Sequence, residues 1–245
     1  MITTLSSCLQ DKMIFQLTKL NVSHKFVFAQ PFDEYFIKTP DSVKLNALHF
    51  KTEKTCKGLV LYFHGNADNL QRWGKYATDF TSLGYDILMV DYRGYGKSTG
   101  KPNEKTLYED ASLVWQWAKD RFQYDRWVIY GRSLGSAVAT HLAKEVKPDI
   151  LGLETPFANL RFTRLARIIP LKLKYKFSNI NHLKGISCKK FIFHGTRDWV
   201  VPLRSAMQLK PLLSDSDQFI IIEKGGHKNL NEFELYRVKL AELLL

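Results

Sequence analysis

From residue 32 onwards, short apolar runs alternate with longer amphipathic stretches. FDEYFIKTPDSVKLNALHF reads as two strands joined by a turn at Pro40-Asp41-Ser42. GLVLYFHG (58–65) is a compact apolar run ending in glycine, the signature of a strand buried on both faces. After a polar helix, YDILMVDYRGYG (85–96) repeats the plan of strand and glycine loop. TLYEDASLVWQWAKDRF then sets Leu107, Ala111, Val114, Trp115 and Ala118 at helical spacing, so that these face a sheet. WVIYG (127–131) predicts another strand, followed by a helix from Ser133 that Pro148 stops. ILGLE (150–154), KFIFHG (190–195) and QFIIIE (218–223) predict three more strands, and LNEFELYRVKLAELL a closing amphipathic helix. The alternation predicts an α/β fold with a mostly parallel sheet and helices on both faces. Residues 1–30 lack a strong period and read as an N-terminal arm, leaving 31–245 as one domain.

Composition fits this picture. The chain has 245 residues, 45% apolar and 24% charged, which suits one globular α/β domain rather than a disordered or membrane protein. Cys8, Cys56 and Cys188 are widely spaced and read as free thiols of a reducing compartment. MITTLSSCLQDKMIFQLTKL is a poor signal peptide, and no run reaches the ~18 apolar residues of a membrane span. The expected location is cytoplasmic, with peripheral membrane contact as an extension. The net charge of +12 is the exception, because basic proteins attract anionic partners.

In a parallel sheet, functional groups collect at the carboxyl ends of strands. Gly131-Arg132-Ser133-Leu134-Gly135 fits G-x-S-x-G at a strand-to-helix corner. Such a turn pushes the serine hydroxyl out of the core, and the helix start behind it favours negative charge. The plainer alternative makes Ser133 only a helix N-cap. A serine nucleophile needs a base. Of seven histidines, His227 in EKGGHKNL follows the last strand on a glycine-rich loop that can reach the same edge. The acid that orients it is Asp198, in FHGTRDWVVP, with Glu154, in GLETPF, as the rival. The backbone N–H groups of Leu134 and Asn66 are the expected oxyanion donors, with His64 bracing the Asn66 loop. Gly96-Lys97-Ser98 is no phosphate loop, because position 91 is Asp91 rather than glycine. No HExxH or Cys/His cluster suggests a metal.

HGNADN, DYRGYGKS, YGRSLGSA, LETPF, HGTRDWVVP and GGHKNL, in this order and spacing, resemble the α/β-hydrolase superfamily. The likeness covers roughly residues 30 to 240. It points to the serine-hydrolase branch that includes the Bem46-like and ABHD13/ABHD17-like proteins. It implies an eight-stranded, mostly parallel sheet and a cofactor-free Ser133–Asp198–His227 triad. Activities in such relatives include esterase, lipase, peptidase and protein-depalmitoylating thioesterase. Some relatives carry an N-terminal membrane anchor or a palmitoylated cysteine cluster, patterns not seen in this sequence.

The fold would place a small basic lid at about 158–189. The stretch 159–190 carries nine Lys and Arg and no Asp or Glu. Phe162, Leu165 and Ile169 lie broadly opposite Arg161, Arg164 and Arg167, and LKLKYKF alternates Leu171, Leu173, Tyr175 and Phe177 with lysines. Phe162, Leu165, Ile169 and Tyr175 are the expected substrate-facing lid residues. The expected function is hydrolysis of small-molecule carboxylic esters or thioesters through an acyl-serine. Peptidase activity is the alternative within enzymes, and a non-catalytic basic module for membrane or nucleic acid is the alternative outside them. No specific nucleic-acid partner is expected.

Overall fold

The computed structural model describes residues 9–163 and 173–245. The apolar runs form one eight-stranded sheet. Its strands are β1 (Phe32–Lys38), β2 (Lys44–Phe50), β3 (Gly58–Phe63), β4 (Tyr85–Val90), β5 (Trp127–Arg132), β6 (Ile150–Glu154), β7 (Lys189–Gly195) and β8 (Gln218–Ile222). Their order across the sheet is β1-β2-β4-β3-β5-β6-β7-β8. β2 runs antiparallel to both β1 and β4, and all other pairings are parallel.

Why β3 reads as an unbroken apolar run is clear from its two faces. Leu59, Leu61 and Phe63 share a core with residues of α1 (Glu104–Arg121) and α2 (Leu134–Val146). Val60 and Tyr62 point the other way, into a core shared with Tyr76, Phe80 and residues of α3 (Glu234–Leu243). Burial on both sides leaves no polar position to alternate with. The five α1 residues picked out by spacing are all buried. A capping box between Asn103 and Thr106 starts that helix.

Residues 9–30 lie along the domain. Ile14 and Phe15 enter the α1–α2 core, and Phe26 enters the other. Gln16–Leu17 pairs in parallel with Ala67–Asp68, so this segment touches the loop after β3.

The basic insert is partly described. Arg164, Leu165, Arg167, Ile169, Leu171 and Lys172 lie outside the described residues, as does the side chain of Phe162. Beyond them, Tyr175 and Phe177 are buried while Lys174 and Lys176 are exposed, so the alternation holds without a strand. The backbone N–H groups of Lys176 and Phe177 donate instead to the Glu104 carboxylate, at 2.8 and 2.7 Å. The absence of acids within the insert is offset from elsewhere. Lys174 pairs with Asp11 at 3.0 Å, and buried Lys190 pairs with Asp217 at 2.9 Å. Arg161, Lys176 and Lys184 remain exposed.

Candidate active site

The carboxyl ends of β5, β7 and β8 meet at one point. Ser133 follows β5 with φ 52° and ψ −116°, a strained conformation for a residue with a Cβ. The tight corner demands glycine at 135, because a Cβ there would collide with the backbone of Phe63 and His64. Ser133 makes no side-chain capping bond to α2, so it is not an N-cap in the usual sense. Its Oγ lies 3.0 Å from Nε2 of His227.

The other imidazole nitrogen of His227, Nδ1, is 2.7 Å from Oδ2 of Asp198. The carboxylate of Asp198 is fully buried and fixed by its own loop, its Oδ1 accepting from the N–H groups of Val200 and Val201 at 2.9 and 2.8 Å. His194 lies beneath it, with Nε2 2.9 Å from the Val201 carbonyl. Burial pushes the His194 imidazole down, with the Asp198 charge opposing, which favours a neutral structural ring. Serine, imidazole and carboxylate thus form one hydrogen-bonded chain able to carry a proton from Oγ to Nε2.

Glu154 is committed elsewhere. Its Oε1 lies 3.1 Å from Nε of Arg132, and both side chains are buried. Its Oε2 accepts from the hydroxyls of Tyr130 and Tyr236, at 2.9 and 3.2 Å. Burial is the largest single influence on the Arg132 guanidinium and opposes its charge, yet the Glu154 carboxylate together with Tyr62, Tyr76 and Tyr236 outweighs it and raises the pKa further. Sequence reasoning missed Arg132. The signal was an arginine ending one strand and a glutamate ending the next, which prove to be register partners.

The two expected oxyanion residues flank the same corner. Leu134 is the first residue of α2, where main-chain N–H groups have no partner within the helix. Asn66 and Ser133 line one pocket of about 40 Å³ with Gly65 and His227. The Asn66 loop is pinned from several directions. Its carbonyl accepts from Gln16 N–H at 3.0 Å and Tyr95 OH at 2.9 Å, and its amide donates to the Ile14 carbonyl at 3.1 Å. His64 sits beside Asp91 at 3.3 Å and stacks on Trp73, the bracing position expected of it. The DYRGYGKS loop is structural, with Tyr92 OH donating to the His64 carbonyl at 2.7 Å. Among the described residues, no group of His, Cys, Asp and Glu could hold a metal ion.

One titratable group near Glu154 stands out. Burial, reinforced by the Glu154 charge, pushes the Asp79 carboxyl up to about 7 from 3.8. A raised acid pKa means the native state holds a proton that the unfolded chain releases between about pH 4 and 7. Stability from this group therefore falls as pH rises through that window, by a few kcal/mol in all (~1.4 kcal/mol per unit). Asp79→Asn is expected to raise the melting temperature at pH 8 by about 5 °C or more. The gain should shrink several-fold at pH 4.5. Thermal melts at the two pH values test this, and an equal gain at both would refute it.

Comparison with known proteins supports the same fold. The family model described as serine aminopeptidase, S33 matches residues 54–162. Lysophosphatidylserine lipase ABHD12 of Danio rerio is 32% identical over 209 residues, covering 73% of this chain and 52% of the relative. The Rattus norvegicus protein of the same name is 35% identical over 187 residues, covering 66% and 46%. The chain therefore spans about half the length of these curated relatives. The Pyrococcus furiosus esterase Pf2001 superposes with a TM-score of 0.75 at 20% identity, covering 94% of this chain and 98% of that one. Est1E from Butyrivibrio proteoclasticus, solved with ferulic acid, gives 0.67 at 17% identity, covering 86% and 96%. With the sheet order, the strained serine corner and these similarities in agreement, the chain belongs to the α/β-hydrolase superfamily.

Proposed function

We propose that this chain hydrolyses carboxylic esters or thioesters through an acyl-serine intermediate. The observation that carries the reading is the unbroken chain from Ser133 Oγ to His227 to buried Asp198, at 3.0 and 2.7 Å. His227 takes the Ser133 proton as Oγ attacks the acyl carbon, then returns it to the departing alcohol or thiol. Asp198 holds the imidazole with Nε2 free to accept, and stabilises the imidazolium. The N–H groups of Asn66 and Leu134 are the proposed oxyanion donors. Water then attacks the acyl-enzyme with His227 again as base. No cofactor takes part in these steps.

Charge around the pocket favours an ester over a peptide. Arg72, Arg132 and Lys228 line it, and no carboxylate is among its lining residues. A peptide's free amino terminus would find no anion to hold it there. The relatives' name supports acyl lipids with anionic headgroups as the substrate class, and the lid hypothesis extends this to peripheral contact with anionic membranes. Exposed Arg161, Lys176 and Lys184 would each contribute about 1 kcal/mol to such contact. Among the described residues, no helix is long and apolar enough to cross a membrane. Free Cys56 and Cys188 support a cytoplasmic location. The serine aminopeptidase match favours peptidase activity as the second reading.

One assay series tests these readings. Turnover of p-nitrophenyl esters of increasing chain length and of an acyl thioester should exceed that of an aminoacyl p-nitroanilide by about 100-fold or more in kcat/KM, because an amine is the poorer leaving group. Equal turnover of the anilide would favour the peptidase. Sedimentation with phosphatidylserine vesicles should show binding at low salt and release at high salt. Equal, weak binding to anionic and neutral vesicles would reject the membrane contact.

A further inference from the structure

We propose that Arg132 is a positioning residue, which grips the main chain of His227 and keeps its imidazole within reach of Ser133. The inference rests on the reading of His227 as the base. Arg132 ends β5 immediately before Ser133, and its side chain is only 2% exposed. Its Nη2 donates to the His227 carbonyl at 3.2 Å. The other side of the fork meets Glu154, which Tyr130 and Tyr236 hold in place. The guanidinium also lies 4.5 Å from the ring centroid of Tyr76. The hydroxyl of Tyr76 donates in turn to the Lys228 carbonyl at 3.3 Å. Two touching side chains thus hold two consecutive carbonyls of the loop that carries the base.

The loop needs such a hold. It begins with Gly225 and Gly226, whose backbones have wide conformational freedom. Catalysis tolerates little displacement, since a misplacement of about 1 Å can cost on the order of 100-fold in rate. A guanidinium can serve counter-ion and loop at once because its donors are fixed in a planar fork, whereas an ammonium is a single point charge. The position also links nucleophile and base through adjacent covalent structure. Any shift of β5 moves Ser133 and the anchor of His227 together.

The decisive variant is Arg132→Lys, which keeps a cation beside Glu154 and gives up the second arm. It should fold cooperatively, with kcat on p-nitrophenyl acetate lowered about 10- to 100-fold and KM within about 2-fold. Amide hydrogen exchange at residues 224–229 should quicken. A purely structural ion pair would change stability without this loop-specific exchange or the kcat-against-KM split. Tyr76→Phe removes only the hydroxyl and should shift kcat and loop exchange the same way, by a smaller factor. Folded Arg132→Lys with kcat within twofold of wild type and unchanged exchange overturns the proposal. Should Arg132→Lys fail to fold, Tyr76→Phe decides, and unchanged kcat and exchange there overturn it equally. A wild-type protein that turns over no ester would sink the hydrolase reading instead, and the exchange comparison would still decide the clamp.

Discussion

Replacing Ser133 with alanine is expected to lower ester turnover by about 10⁴-fold or more and to abolish labelling by a fluorophosphonate probe. The expected size follows from its place in the site. Ser133 Oγ is the atom that His227 Nε2 faces at 3.0 Å, and only a nucleophile there lets the base act. The fold should survive, because the hydroxyl makes no capping bond to α2 and alanine meets the same positive φ that serine already tolerates. Circular dichroism and a melting curve would confirm that the variant is folded. Labelling that persists in the folded variant would place the nucleophile elsewhere.

What made this site legible was the sheet. Strands buried on both faces appear as apolar runs, so their carboxyl ends stand out at Gly65, Gly131 and Gly195, beside the turns that carry Asn66, Ser133 and Asp198. The serine corner and the glycine loop of His227 were readable for that reason. The acid was less distinct, because Asp198 and Glu154 both follow strands that end at the same edge, and only side-chain contacts separate them. Partnerships between distant segments left no local pattern. Arg132 meets the His227 loop 95 residues away, and Asp11 pairs with Lys174 across 163. The surplus charge of the insert was visible, whereas its partial neutralisation by Asp11, Asp217 and the Glu104 contacts to backbone N–H groups depended on the folded chain. The arm looked unpatterned for the same reason, since Gln16 pairs with Asn66 rather than with a sequence neighbour.

The same contacts set apart two carboxylates that end up about one strand away from each other. Asp198→Asn is expected to reduce turnover by roughly 10⁴-fold while barely changing stability. An asparagine Oδ1 can still accept from Val200 and Val201, so the loop keeps its shape. Its amide N–H₂, however, would face Nδ1 of His227 and favour the tautomer with the proton on Nε2. That nitrogen would then donate to Ser133 rather than accept from it, and the base would be lost. Glu154→Gln should show the opposite pattern. It leaves the Arg132 guanidinium buried without its counter-charge, at a cost of about 3–5 kcal/mol in stability. Turnover by the folded fraction should fall by less than about 10-fold, because the Ser133–His227–Asp198 contacts remain. Turnover normalised to the titrated fraction of folded protein, measured beside urea unfolding, separates the two effects. If Glu154→Gln lost more turnover per folded molecule than Asp198→Asn, the acid would belong to β6 and the assignment of Asp198 would fall.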